Sequence, residues 1–200
     1  SRVFLRVGYE FDNPSFGYMR DPLVYRQAFR MLKEECLYQS WDCPNKVKFV
    51  WHSWAASSSG QDLDKFYPGN DVVDWIGISI FQQLNNDTQM EFVDTVLHYA
   101  KKRHKPCMIA ESTPFGGITT WEDWFAPLLK LIESYEIEMW SYINCNWEEQ
   151  PMWHNIGFGD TLLSTNTTVM EQWHDLIVKS DRFLGAGTLK HYCTAPAASI

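Results

Sequence analysis

Apolar residues along this chain recur alternately at two periods, and that alternation constrains its fold more than any other feature. Segments 3–11, 47–54, 73–81, 106–111 and 137–144 read as short β-rich runs, whereas 22–38, 88–104, 121–135 and 167–183 carry helical spacing. Phe92, Val93, Val96, Leu97 and Ala100 form one helical stripe, with Asp87 and Thr88 as its N-cap. Strand and helix in regular succession predict a parallel α/β sheet.

The strands are two-faced. In IGISIF (76–81), Ile76, Ile78 and Ile80 fall on one face and Gly77, Ser79 and Phe81 on the other. In FLRVGYEF (4–11), Leu5, Val7, Tyr9 and Phe11 oppose Phe4, Arg6, Gly8 and Glu10. A barrel suits this pattern, because its lumen tolerates Arg, Ser and Glu near the mouth while the outer face packs under helices. A doubly wound sheet buries both faces in aliphatics and carries a glycine-rich phosphate loop after its first strand, which is not found here. Residues 55–71 read as an irregular loop over the strand ends, with a short helix at 62–66. The tail, 185–200, has little periodicity and is expected to strap along the surface.

Composition closes off several functions. The net charge is -8 and the basic residues are scattered, which argues against nucleic acid as a partner. No apolar run approaches the roughly 20 residues of a membrane span. The five cysteines include no CxxC and no Cys/His set with zinc spacing, so no metal or cofactor is expected. Cys36 and Cys43 are close enough to bond in an oxidising compartment, or are simply small buried residues. Asn86 and Asn166 open glycosylation sequons. Ten Trp, twelve Phe and nine Tyr exceed what a core of this size needs, and surplus aromatics line clefts that stack flat ligands such as sugars.

Two strands end on a carboxylate. The first runs into Glu10, and KPCMIAESTP (105–114) stops its apolar run at Glu111, with Cys107, Ile109 and Glu111 on one face by alternation. In a parallel barrel every strand ends at the same mouth, so Glu10 and Glu111 face one cavity. Two carboxyls in one cleft suit glycoside hydrolysis, at roughly 5–5.5 Å for retention or 6.5–9.5 Å for inversion. Arg6, four residues before Glu10 on the same face, either holds a carboxylate ionised or forms a structural ion pair.

Six segments carry a family resemblance: RVGYEFD (6–12), VKFVWHSWA (47–55), FYPGNDVVDWIGISIF (66–81), KPCMIAESTPFG (105–116), WEDWFAPLL (121–129) and EMWSYINCNW (138–147). In this order they resemble the second part of a clan A glycoside hydrolase, closest to family 26, the mannanase-like (β/α)8 barrels. The resemblance implies a retaining, endo-acting β-glycan hydrolase of β-mannanase type. Glu10 would end barrel strand four as acid/base and Glu111 strand seven as nucleophile. His52 and Trp54 would end strand five and Phe81 strand six, with Trp140, Tyr142 and Trp147 at or after strand eight. These residues, with Arg6, are the expected substrate-binding set. Trp147, and less so Trp54, would stack on the C–H faces of sugar rings. His52 would hydrogen-bond a sugar, orient Glu111, or be structural.

Some positions depart from the family. Tyr9 stands where most of the clan has Asn and typical members have His, and Phe81 replaces a Tyr whose hydroxyl orients the nucleophile in many relatives. A complete barrel needs about 250 residues. The expectation is therefore a partial TIM barrel over 1–184, five parallel strands with intervening helices and without the first three strand-helix units, followed by the tail. The signal peptide of a secreted, extracellular enzyme would belong to the missing part. Strands four and eight would be unpaired edges open to self-association. A non-catalytic carbohydrate-binding or scaffold remnant of such a barrel is the alternative.

Overall fold

Val, Ile, Phe and Trp dominate the runs that pair into strands, and the pairing is parallel throughout. The computed structural model of the protein describes residues 2–56 and 62–184. Strands β1 (Val3–Arg6), β2 (Val47–Ser53), β3 (Trp75–Ile80), β4 (Cys107–Ser112) and β5 (Met139–Trp140) form one sheet in the order β1-β2-β3-β4-β5. Every neighbouring pair is parallel. Sequential order without reversal is that of consecutive barrel strands, whereas a doubly wound sheet reverses direction at a switch point. The fold is thus a curled half of a (β/α)8 barrel.

The crossovers are α1 (Pro22–Gln39), α4 (Asp87–Lys102) and α5 (Trp121–Ser134), with the short helices α2 (Cys43–Lys46) and α3 (Leu63–Phe66), and α6 (Thr167–Trp173) following β5. Their starts are encoded locally. The Asp21 carboxylate accepts from the backbone N–H groups of Leu23 and Val24, with Pro22 at the first helical position. Thr120 and Asn166 cap α5 and α6 in the same way. At α4 the cap is Asn86, accepting from Gln89 N, one residue before the expected Asp87. Cys36 and Cys43 are bonded, with Cα atoms 5.8 Å apart, which ties the end of α1 to α2 and decides between the two sequence alternatives.

Three elements are shorter than their periodicity predicts. β1 ends at Arg6 instead of continuing through 11, and β5 spans two residues of the expected 137–144. Helix α6 gives way after Trp173 to a π turn at His174–Val178. The expected tail, 185–200, and Ser57, Ser58 and Ser59 lie outside the described residues.

Two apolar layers flank the sheet. Phe49, Trp51, Ile76, Ile78, Ile80 and Ile109 pack outward against Phe29 of α1, Val93 and Leu97 of α4, and Phe125 and Leu128 of α5. On the inner face a smaller set, Val50, Met108 and Ala110 with Phe4, Trp75 and Met139, forms the floor of the half-barrel. Among the described residues, β1 and β5 each have a neighbour on one side only.

Candidate active site

Both glutamates reach the mouth above this floor, and neither does so by the strand alternation that predicts it. After Arg6 the chain turns. Gly8 has φ +54°, and a Cβ there would lie 2.8 Å from Tyr25 Cε2. Tyr25 holds the turn from outside, its hydroxyl donating to Val7 O at 3.1 Å. Glu10 itself has φ +52°, in the left-handed region. This conformation sends Phe11 into the outer core and leaves Glu10 buried at the strand mouth. Its Oε1 accepts from Ser79 Oγ at 2.7 Å and its Oε2 from Asn13 Nδ2 at 2.9 Å.

Glu111 depends on a bulge. Ile78 pairs with Ile109 but Ser79 pairs with Glu111, so Ala110 is an extra residue in β4. Cys107 and Ile109 point into the helix-facing core, so unbroken alternation would bury Glu111 there with them. The expectation that these three share a face is corrected by the bulge, which returns Glu111 to the inner side. There Arg6 Nη1 donates to Glu111 Oε1 as an ion pair. The Arg6 guanidinium carbon also lies 5.6 Å from the ring centroid of Tyr9. Tyr9, which alternation would put on the outer face, sits at the mouth, its ring 6.4 Å from that of His52.

Burial is the largest influence on Glu10 and raises its pKa. The hydrogen bonds from Ser79 and Asn13 oppose this, and the charges of Glu111 and Asp12 add to it. His52 is fully buried, and burial together with the Arg6 charge pushes its pKa down to about 3, so the ring is neutral. Its Nε2 lies 3.0 Å from Ser79 Oγ. Asp12 joins the turn after β1 to the end of β2, accepting from Ser53 Oγ at 2.5 Å and from Trp54 N at 2.6 Å. Gln83 fastens the end of β3, donating to Ser79 O and Trp54 O and accepting from Phe81 N.

The structure gathers some of the expected binding residues and separates others. Arg6 and His52 stand with the two glutamates, but His52 has no exposed surface and its hydrogen bond into the site is to Ser79, which corrects the expectation of direct contact with a sugar. Trp54 is partly exposed just beyond β2. Phe81 meets Phe158 edge-on at 5.5 Å, and Phe158 also contacts Phe115 and Trp153. Trp147 is buried, stacked on Phe158 at 4.8 Å, with its Nε1 donating to Thr161. It is the backing of an aromatic wall, not an open platform.

Trp140 and Tyr142 face the helices. Trp140 packs on Trp173 and donates to Ser112 Oγ, and Tyr142 lies between Phe125 and Trp173 with its hydroxyl donating to Thr161 O. Their expected place beside the substrate is therefore corrected: Trp140 pairs with Ile109, an outward position of the sheet.

Sequence reasoning missed Ser79, Asn13, Asp12 and Gln83. Only Ser79 had a readable signal, a small polar residue on the inward side of an isoleucine-rich strand. Among the described residues no group of three or more His, Cys, Asp or Glu is placed to hold a metal ion, and no helix is long and apolar enough to cross a membrane.

Five parallel strands in barrel order, with two glutamates turned inward at their carboxyl ends, define a partial (β/α)8 barrel with a paired-carboxylate site. In sequence the chain is similar to β-1,3-xylanases and in fold to family 26 β-mannanases. No family model matches the sequence. A β-1,3-xylanase from an Alcaligenes species is 27% identical over 205 residues, covering 88% of this chain and 42% of that protein. A second β-1,3-xylanase, from a Vibrio species, is 26% identical over 88% of this chain and 43% of its own length. Among solved structures, a family 26 β-mannanase from Bacteroides ovatus superposes with a TM-score of 0.69 at 19% identity, over 93% of this chain and 52% of that one. The chain thus spans about half the length of the relatives it matches, or somewhat less.

Proposed function

We propose that this chain carries the acid/base and the nucleophile of a retaining, endo-acting β-glycan hydrolase. The observation that carries the reading is the pair itself: a buried Glu10 with a raised pKa beside an inward-turned Glu111 held by Arg6. Glu10 protonates the leaving glycosidic oxygen while Glu111 attacks the anomeric carbon. Glu10, now ionised, then takes a proton from the water that releases the sugar from Glu111. Arg6 fixes the direction of the attacking carboxylate, a task given in many family members to the hydroxyl that Phe81 lacks.

Of the possible glycans, β-1,3-xylan is the first to test, because the curated relatives with the higher identity are β-1,3-xylanases. β-1,4-Mannan is the second, since the superposed structure is a β-mannanase. Phe115 and Trp153, both exposed and joined through Phe158, offer the apolar face on which a sugar ring stacks. The Cys36–Cys43 bond supports an oxidising, extracellular setting.

The decisive experiment treats the protein carrying this chain with 2-fluoro xyloside and mannoside inactivators and maps the label. Glu111 is the expected site, and the first product is β-configured. A label elsewhere, or an α-configured product, rules the mechanism out. The carbohydrate-binding alternative draws on Phe81, and it predicts retention on xylan or mannan with no reducing ends released.

A further inference from the structure

Ser79 has one hydroxyl hydrogen and two polar neighbours, Glu10 Oε1 at 2.7 Å and His52 Nε2 at 3.0 Å. It is fully buried, so no bulk water offers it a third partner. If its hydrogen points to His52, the lone pairs of Ser79 and of an ionised Glu10 face one another at hydrogen-bond distance, which is repulsive, and a neutral Glu10 would have to turn its acid proton onto Ser79 instead of holding it for the leaving oxygen. If it points to Glu10, His52 must present a hydrogen on Nε2. The imidazole is neutral, so Nδ1 then carries none, and among the described residues that atom has no hydrogen-bond partner.

We propose that Ser79 is the positioning residue of Glu10, made a one-way donor by the buried His52 behind it, so that hydrogens run His52 Nε2 to Ser79 Oγ to Glu10 Oε1. This rests on the reading of Glu10 as the acid/base. One consequence follows from the geometry: the side-chain rotamer of Glu10 is fixed from both ends, by Asn13 from the turn and Ser79 from β3, before substrate arrives.

The groups around Glu10 that carry or change charge are Arg6, Tyr9 and Asp12 on its own segment, His52 on β2 and Glu111 on β4. Ser79 acts among them as a neutral donor that favours the ionised carboxylate, and its removal raises the pH at which Glu10 loses its proton. A structural serine filling the same space would leave that titration unchanged.

Nitrogen-15 spectra of the unmodified protein, with the His52 resonances assigned, are expected to show the Nε2–H tautomer. The Nδ1–H tautomer would overturn the proposal, because the Ser79 hydrogen would then be bound to His52. Carbon-13 titration of the Glu10 carboxyl is expected to move upward in Ser79→Ala, and an unmoved titration would equally overturn it. The alkaline limb of the pH–rate profile is expected to move with the carboxyl. If the carboxyl moves and that limb does not, the positioning by Ser79 stands and the acid/base role of Glu10 fails, so the two claims are separately exposed.

Discussion

At the scale of single residues, the site is organised by what each carboxyl is allowed to do. Glu10 sits out of water with an Asp and a second Glu nearby, conditions that favour its neutral form and suit it to donate a proton. A carboxyl with a raised pKa is still protonated at pH values above the ordinary glutamate range near 4.3, and loses that proton only as pH climbs through the shifted value. The alkaline limb of kcat/KM is accordingly expected above that range, which a pH–rate profile measures. Glu10→Ala is expected to lower the rate on unactivated glycans by about 10²–10⁴-fold, the usual contribution of a positioned acid. It should spare substrates with activated leaving groups, and azide should restore turnover with a β-glycosyl azide as product. The two glutamates and Arg6 were legible in the sequence because charged residues at the ends of apolar runs need a reason. Asp12 and Gln83 were not, because their partners are brought together by tertiary folding: Asp12 meets Ser53 across 41 positions and Gln83 meets Trp54 across 29. Asn13 was not, because it reaches Glu10, three residues back, through a turn that the alternating pattern does not show.

At the scale of elements, periodicity located all five strands and the main crossover helices but not the two irregularities that aim the glutamates. A bulge has no signature in a six-residue run such as CMIAES, where apolar and small residues read the same in either register. Alternation then fails by one place after Ala110, and Glu111 arrives at the mouth for a reason the pattern did not contain. The turn after β1 is similar, since FLRVGYEF continues to alternate on paper while the backbone has left the strand. Gly8 was the available hint. A Cβ there meets Tyr25 in a left-handed conformation, so Gly8→Ala is expected to destabilise the fold by about 1–2 kcal/mol from backbone strain alone. The displacement also disturbs Glu10 two residues later. Denaturant midpoints and turnover should fall together, whereas a loss of stability with turnover intact would show that the turn does not aim the acid. The disulfide closes a loop of sequence separation 7, for which chain entropy assigns about 2–2.5 kcal/mol. Cys36→Ser with Cys43→Ser should lower stability by roughly that amount. The carboxyl pair should be unaffected, because the bond lies at the end of α1 away from Tyr25, which braces the turn.

At the scale of the whole molecule, five strands make a sheet with two open edges where a closed barrel has none. Val3 and Leu5 of β1 are exposed at 54% and 38%, and on the neighbouring α1 Leu23, Val24 and Met31 face water at 53%, 56% and 67%. Apolar surface on a helix beside an unpaired parallel strand is the surface that the next strand-helix unit covers in a complete barrel, and the matched relatives are about twice as long as the region shared with this chain. The interior shows the same geometry. The floor of Phe4, Val50, Trp75, Met108, Ala110 and Met139 is one layer of side chains from five strands, where a closed barrel supplies the facing side chains of the other three. The 200-residue chain by itself is therefore expected to self-associate, each copy pairing its β1 edge with another. Sedimentation should give a mass above the 23.4 kDa of one chain, rising with concentration. Val3→Lys places a charge on the open edge, where strand addition would have to bury it, and should shift the distribution toward monomer while leaving the far-ultraviolet spectrum intact. A wild-type chain that is monomeric at all concentrations would instead mean that the exposed edge and the α1 surface are tolerated in water, and that the half-barrel is a stable folding unit in its own right.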